Sequence, residues 1–280
     1  MNELSTIKVP QAGIPFSTTM LDALMEKDGL DVLIITSRHN VRYFLGGYSS
    51  QFFSHTEAAG ISRYLPVVVY VKGAPERALF IPHRLETHQL AHASLWLQHS
   101  ETRSWGAKDA IETAVEYVRV NCPSNARLGA ELDFIPAAAA KALSAYAREG
   151  EVADILKLLE RLRSRKTPRE LTLLREASER IEASMVATLR ACGEGATKQQ
   201  ITDTLAIEET MRGLVFEYCL IAAGQSHNRA PSPQIWNRGD VLSIDSGGTF
   251  EGYIGDLARM GIVGEPDDEL EDLLGAVDDI

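Results

Sequence analysis

Short apolar runs alternate along this chain with stretches in which apolar residues recur every three or four positions. Val32-Leu33-Ile34-Ile35, preceded by Leu21 to Met25, has strand length and β-branched content. Pro66 to Val71 and Ala78-Leu79-Phe80-Ile81, separated by Lys72-Gly73-Ala74-Pro75, predict a hairpin. Ile111, Ala114, Val115 and Val118 lie at helical spacing, so residues 111–120 are expected to be helical. Alanine-rich Ala137 to Ala147 predicts another helix, because alanine is the best helix former. Strands interleaved with helices imply a layered α/β domain over residues 1–150.

The pattern then changes. Asp154 to Arg163 reads as a charged amphipathic helix, so residues 151–166 form a linker helix and hinge ending in the basic patch Arg161 to Lys166. Thr167-Pro168-Arg169-Glu170 combines an N-cap threonine, a first-position proline and a glutamate three residues on. Leu171, Leu174, Ile181, Met185 and Leu189 continue it as one long helix, which Gly193 and Gly195 end. Thr197-Lys198-Gln199-Gln200 repeats the capping logic for a helix to about Met211. Strand-like segments follow at Phe216 to Ala223, Asp240 to Asp245 and Thr249 to Ile262, so 167–280 forms a second domain, α+β in order. Leu270, Leu273, Leu274, Val277 and Ile280 then recur at helical spacing without a closing signal. The expectation is that the 280 residues are part of a longer chain.

Composition narrows the classes. Hydrophobic residues are 45% and charged residues 24%, as in an ordinary globular protein. The net charge is −11, and eight acids with no base lie between Glu265 and Ile280, which gives no electrostatic footprint for nucleic acid. No apolar run has the ~18–20 residues of a membrane span, and MNELSTIKVPQAG lacks the basic and apolar segments of a signal peptide. Cys122, Cys192 and Cys219 fit no zinc-ribbon spacing and read as buried thiols of a reducing compartment, the cytoplasm.

Candidate chemistry is concentrated in one stretch. Arg238-Gly239-Asp240 is a turn, Val241 to Ile244 a strand ending on Asp245, and Gly247-Gly248 the start of a reversal before a strand carrying Asp256. If the chain folds back near residues 250–251, Asp245 and Asp256 face each other with Cβ atoms ~5 Å apart. At an effective dielectric near 20, that repulsion costs roughly 3–4 kcal/mol. Beside Ile244, Ile254 and Leu257, either one carboxyl stays protonated or a cation sits between them; in open solvent the pair would do nothing. Hard divalent cations take such oxygen ligands.

The whole pattern resembles the "pita-bread" metallopeptidases: Xaa-Pro aminopeptidases, prolidases, methionine aminopeptidases and creatinases. The matching residues are Gly239-Asp240, Ile244-Asp245-Ser246-Gly247, Gly252-Tyr253-Ile254-Gly255-Asp256-Leu257-Ala258-Arg259 and Val263-Gly264-Glu265-Pro266. Leu162 to Lys166 with Glu170-Leu171 is similar to the family's hinge. Asp31 to Ile35 with Asn40 to Gly47 is similar to the creatinase/prolidase amino-terminal domain. The resemblance implies an α/β amino-terminal creatinase/prolidase-type domain followed by an incomplete α+β pita-bread catalytic domain. It implies two divalent metal ions (Mn, Co or Zn), with Asp245 chelating one and Asp256 bridging both. The family's remaining ligands, a histidine and two glutamates, would lie downstream of Ile280, so the complete protein is the expected hydrolase of Xaa-Pro bonds and the 280 residues alone are expected to be inactive. A small peptide substrate and a homodimer are implied as partners.

The same resemblance makes His227, eighteen residues before Asp245, the substrate-side histidine that donates to developing negative charge, although Ser226 replaces the usual proline or alanine. Arg229 is a weaker candidate for a bidentate grip on a substrate carboxylate. His88 and His92 have zinc-protease spacing, but Gln89 stands where the general-base glutamate belongs. Cys219 lies in an apolar segment with no activating histidine. Two alternatives stay open: a creatinase-like amidinohydrolase in which histidine works without metal, and a catalytically dead homologue acting as a binding module. Retention of both aspartates favours the metal enzyme.

Overall fold

The computed structural model describes residues 13–55, 64–146 and 152–278. The expected features at the amino-terminal segment through Ala12, at Ala147 and at Ile280 lie outside the described residues. The chain divides into two units, Met1–Thr167 and Pro168–Ile280.

In the first unit the elements run α1 (Thr18–Asp28), β1 (Val32–Ile35), α2 (Arg38–Phe44), α3 (Gln51–Ser54), β2 (Val67–Val71), β3 (Leu79–Ile81), α4 (Thr87–Leu90), β4 (His99–Ser100), α5 (Ala107–Asn121), β5 (Leu128–Ala130), α6 (Ala137–Tyr146), β6 (Ala153–Asp154) and α7 (Leu156–Ser164). The strands form one mixed sheet in the order β4-β3-β2-β1-β5-β6. β1 pairs antiparallel with β2 and parallel with β5, and β2–β3 is the hairpin the apolar runs predict. Why β1 reads as four consecutive apolar residues is clear from burial on both faces. Leu33 and Ile35 join a core with Tyr70, Phe80 and Leu158, Leu159 and Leu162 of α7. Val32 and Ile34 join a separate core with Ile111 and Val118 of α5 and Leu143 of α6. The linker helix is therefore packed into the first unit. His88 and His92 do not share a helix turn, because α4 ends at Leu90.

The second unit consists of α8 (Pro168–Ala191), α9 (Lys198–Met211), β7 (Val215–Ala223), β8 (Val241–Phe250), β9 (Tyr253–Ile262) and α10 (Asp268–Asp278). The start of α9 follows from its sequence: Thr197 Oγ1 accepts from Gln200 N at 3.2 Å, and Gln200 Oε1 accepts from Thr197 N at 2.9 Å. Ile181 and Met185 of α8 and Ile201 and Leu205 of α9 pack on Cys219, Ile221, Leu242 and Ile244, one face of the antiparallel sheet β7-β8-β9. Leu171 departs from its predicted stripe and is exposed, as Ala177 rather than a leucine makes the first fully buried apolar contact of α8. Gly247 and Gly248 do not begin a reversal. They lie inside β8, and the chain turns at Glu251 and Gly252, whose φ values of 49° and 85° make the primed two-residue turn that matches strand twist. No helix among the described residues is long and apolar enough to cross a membrane.

Glu209 of α9 is fully buried on the helix side of this sheet, and burial pushes its carboxyl up from 4.5 to about 7. The folded chain thus holds the proton more tightly than the unfolded chain. The resulting stability is complete below pH 4.5 and is lost as pH rises through about 7. Denaturant unfolding across this range is expected to show a loss on the order of 3 kcal/mol in the native protein that is missing in Glu209→Gln; parallel curves for the two proteins would contradict it.

Candidate metal centre

Side chains alternate across a strand, so each strand of β7-β8-β9 presents one set to the helices and another to the opposite face. Ile244 and Ser246 point to the helix side and are fully buried. Asp245 and Gly247 therefore belong to the other face, together with Tyr218 and Leu220 of β7 and Asp256 and Ala258 of β9. Asp245 is half-buried and Asp256 exposed. Of the apolar neighbours expected beside the pair, Ile244 and Leu257 lie on the helix side, and Ile254, itself exposed, shares the outer face.

The register also corrects the expected geometry. Asp245 lies opposite Ala258, and Asp256 lies opposite Gly247. The carboxylates are diagonal neighbours on one face, a relation that spans ~7–8 Å between Cα atoms. Their mutual repulsion at an effective dielectric near 20 is then roughly 2 kcal/mol, weaker than for a directly opposed pair.

Two neighbours occupy these carboxylates. Arg229 Nη2 donates to Asp245 Oδ2 at 2.6 Å, so its guanidinium grips a carboxylate of the protein itself. Its backbone is fixed beside β7, where Ile221 N donates to Arg229 O at 2.7 Å. The preceding carbonyl, that of Asn228, accepts from the fully buried Lys198 Nζ, and Asn228 Oδ1 accepts from Ala230 N at 3.0 Å. The Tyr218 phenol and the Asp256 carboxylate interact electrostatically across β8. Burial, then the Asp256 carboxylate and then the charge of Asp245 push the phenol up to about 12, with Arg229 opposing. Tyr218, Gly247 and Asp256 are successive partners across the sheet, and a Cβ on Gly247 would stand 2.6 Å from the Tyr218 ring. The glycine lets the ring lie across β8 towards the strand that carries Asp256. Tyr218 is absent from the sequence reading; its pairing with a glycine of the Asp-x-Gly motif is the signal for it, and that pairing needs the register.

His227 is exposed in the same loop as Arg229, and no hydrogen bond or ion pair joins it to Asp245 or Asp256. Cys219 is buried on the helix side with its thiol pushed up to about 11 by burial, so it is not a nucleophile. Cys122 and Cys192 are only partly buried, unlike the expectation for both. Among the described residues no group of three or more histidine, cysteine, aspartate or glutamate side chains is arranged to hold a metal. The two carboxylates on one face suit a hard divalent ion by their oxygen chemistry, and they fit as part of a ligand set.

Residues 19–165 match the Creatinase/Prolidase N-terminal domain, and residues 172–280 match Metallopeptidase family M24. An uncharacterized peptidase of Bacillus subtilis, YqhT, is 25% identical over 256 residues, 90% of this chain and 66% of that protein. A Xaa-Pro dipeptidase of Lactobacillus delbrueckii subsp. lactis is 22% identical over 256 residues, with 89% of this chain and 66% of that protein covered. Among solved structures, the Xaa-Pro dipeptidase from Bacillus anthracis superposes with a TM-score of 0.72 at 21% identity, covering 92% of this chain and 67% of that one. The chain thus spans just under two thirds of the length of the curated relatives it matches.

The contact between Tyr218 and Gly247 is open to a double-mutant cycle. Gly247→Ala is expected to cost ~1–3 kcal/mol, the range for overpacking, and most of that cost should vanish in a Tyr218→Ala background. Denaturant unfolding of the four proteins checks it; additive losses would remove the ring from its place over Gly247.

Proposed function

This chain belongs to metallopeptidase family M24, with a creatinase/prolidase amino-terminal domain ahead of the catalytic part, and from that premise we propose that the complete protein hydrolyses Xaa-Pro peptide bonds in small peptides with divalent metal. The observation that carries the reading is the placement of Asp245 and Asp256 on one open sheet face inside the stretch that matches the family. Two ions of the manganese, cobalt or zinc kind would supply Lewis acidity and an activated water there. Asp245 and Asp256 would hold them, with the Tyr218 phenol beside Asp256. Arg229 pairs with Asp245, and a metal bound there would take over that neutralisation. His227, on the same loop, donates to the oxygen of the scissile carbonyl as negative charge develops on it. The same reading makes the protein a cytoplasmic homodimer, with three free thiols suited to a reducing compartment.

One observation favours a second reading. Arg229 already supplies a positive charge to Asp245, as a creatinase-like site working without metal would need. Metal analysis of the complete protein after exhaustive dialysis separates the two. The metallopeptidase reading expects bound divalent metal, lower stoichiometry in Asp256→Asn, and at least ~100-fold lower kcat/KM on Xaa-Pro dipeptides, about 2.7 kcal/mol of transition-state stabilisation. Full activity in metal-free protein, or unchanged stoichiometry in Asp256→Asn, would falsify it.

A further inference from the structure

Beneath the carboxylate face, on the helix side of β8, lies a polar chain that the mechanism above does not use. Glu209 and Ser246 are both fully buried. Ser246 Oγ stands 2.9 Å from Glu209 Oε1 and 2.6 Å from the carbonyl oxygen of Tyr218. The other carboxyl oxygen, Glu209 Oε2, is buried with no partner. Room for it is made by Gly248, whose Cβ, if present, would stand 2.6 Å from Oε2.

Proton counting fixes the direction of these bonds. A serine hydroxyl has one proton and a peptide carbonyl only accepts. With Ser246 donating to Tyr218 O, the shorter contact, its lone pair faces Glu209 Oε1, and that second contact is a hydrogen bond only if Glu209 donates. An ionised Glu209 would instead be a fully buried anion with no ion pair among the described residues, which is costly.

The chain ends where β7 is weakest. Its register against β8 shifts between Phe216 and Tyr218, so an extra residue interrupts the ladder there. A one-residue slip in a strand sends every side chain to the other face. At this bulge Ser246 Oγ bonds the carbonyl of Tyr218, whose ring lies over Gly247, the partner of Asp256, and the amide of Ser246 is directly continuous with Asp245.

We propose that Glu209 is a positioning residue for the metal centre: as a neutral acid it donates to Ser246, Ser246 donates to the Tyr218 carbonyl, and this chain locks the register that places Asp245, Tyr218 and Asp256 on one face. The inference rests on the metal reading of the preceding subsection. It assigns to α9 the outer support of a centre whose ligands lie on the opposite side of the sheet.

The test uses the complete protein. Glu209→Gln keeps the shape and one donor; Glu209→Leu keeps the volume and no donor. Titration calorimetry is expected to give Mn2+ affinity within about threefold of native for Glu209→Gln and about 10–100-fold weaker for Glu209→Leu, the range for losing an outer support of a metal ligand. Circular dichroism checks folding, and if Glu209→Leu does not fold, Ser246→Ala breaks the same chain and carries the same expectation. In metal-free protein at about pH 6, the native minus Glu209→Gln infrared difference is expected to show a protonated carboxyl stretch. A carboxylate band in its place overturns the proposal, as does equal Mn2+ affinity in all three proteins or an affinity for Glu209→Gln as weak as for Glu209→Leu. Native protein that binds no Mn2+ sinks the metallopeptidase reading and the positioning role together, whereas equal affinities sink the positioning role alone.

Discussion

Everything at the candidate centre depends on β8 being paired on both sides while carrying two adjacent residues without side chains. Gly247 leaves space on the outer face for the Tyr218 ring, and Gly248 leaves space on the inner face for the Glu209 carboxyl. Between the two neighbouring strands this permits approach from above and below at consecutive positions, which no residue with a Cβ would allow without displacement. The central strand is thin where the chemistry is thickest.

The electrostatics follow from that placement. Two carboxylates that share a sheet face in partial contact with water repel only moderately, and Arg229 and Tyr218 already attend to them. This differs from the buried acids of the first unit. Glu131 accepts from Thr36 N at 2.6 Å, Ser37 N at 2.8 Å and Asn40 Nδ2 at 2.6 Å, so both of its oxygens are engaged by the protein itself. Glu86 is likewise enclosed by Ser50, Tyr64 and the backbone of Phe53. Those carboxylates brace loops. Asp245 and Asp256 have oxygens left over and face outward, which is the condition for taking a ligand.

Much of the architecture was legible from local pattern. Val32 to Ile35 announces a strand buried on both faces, and Thr197 to Gln200 announces the start of α9 through a reciprocal cap that needs only four consecutive residues. Asp245 and Asp256 stand out because their spacing and flanking glycines match a known motif. A fold-back at residues 250–251 would set Asp245 directly opposite Asp256; the turn falls one residue later, at Glu251 and Gly252, and that shifts the pairing by two so that Asp256 meets Gly247. Arg229 stands out in the sequence, yet its partner is a protein carboxylate, and its loop is held in reach by the Ile221 amide on Arg229 O and the Lys198 ammonium on Asn228 O.

What the sequence determined by itself was the kind and order of the elements and the reciprocal cap of α9, because hydrophobic period and turn chemistry act over a few residues; the two aspartates it offered as candidates. Register, the seating of Tyr218 over Gly247 and the proton chain through Ser246 were decided only by tertiary structure. They join residues 28 to 38 positions apart, across a bulge and against a helix face. A contact of that kind is created by packing, and no local pattern in the chain has to encode it.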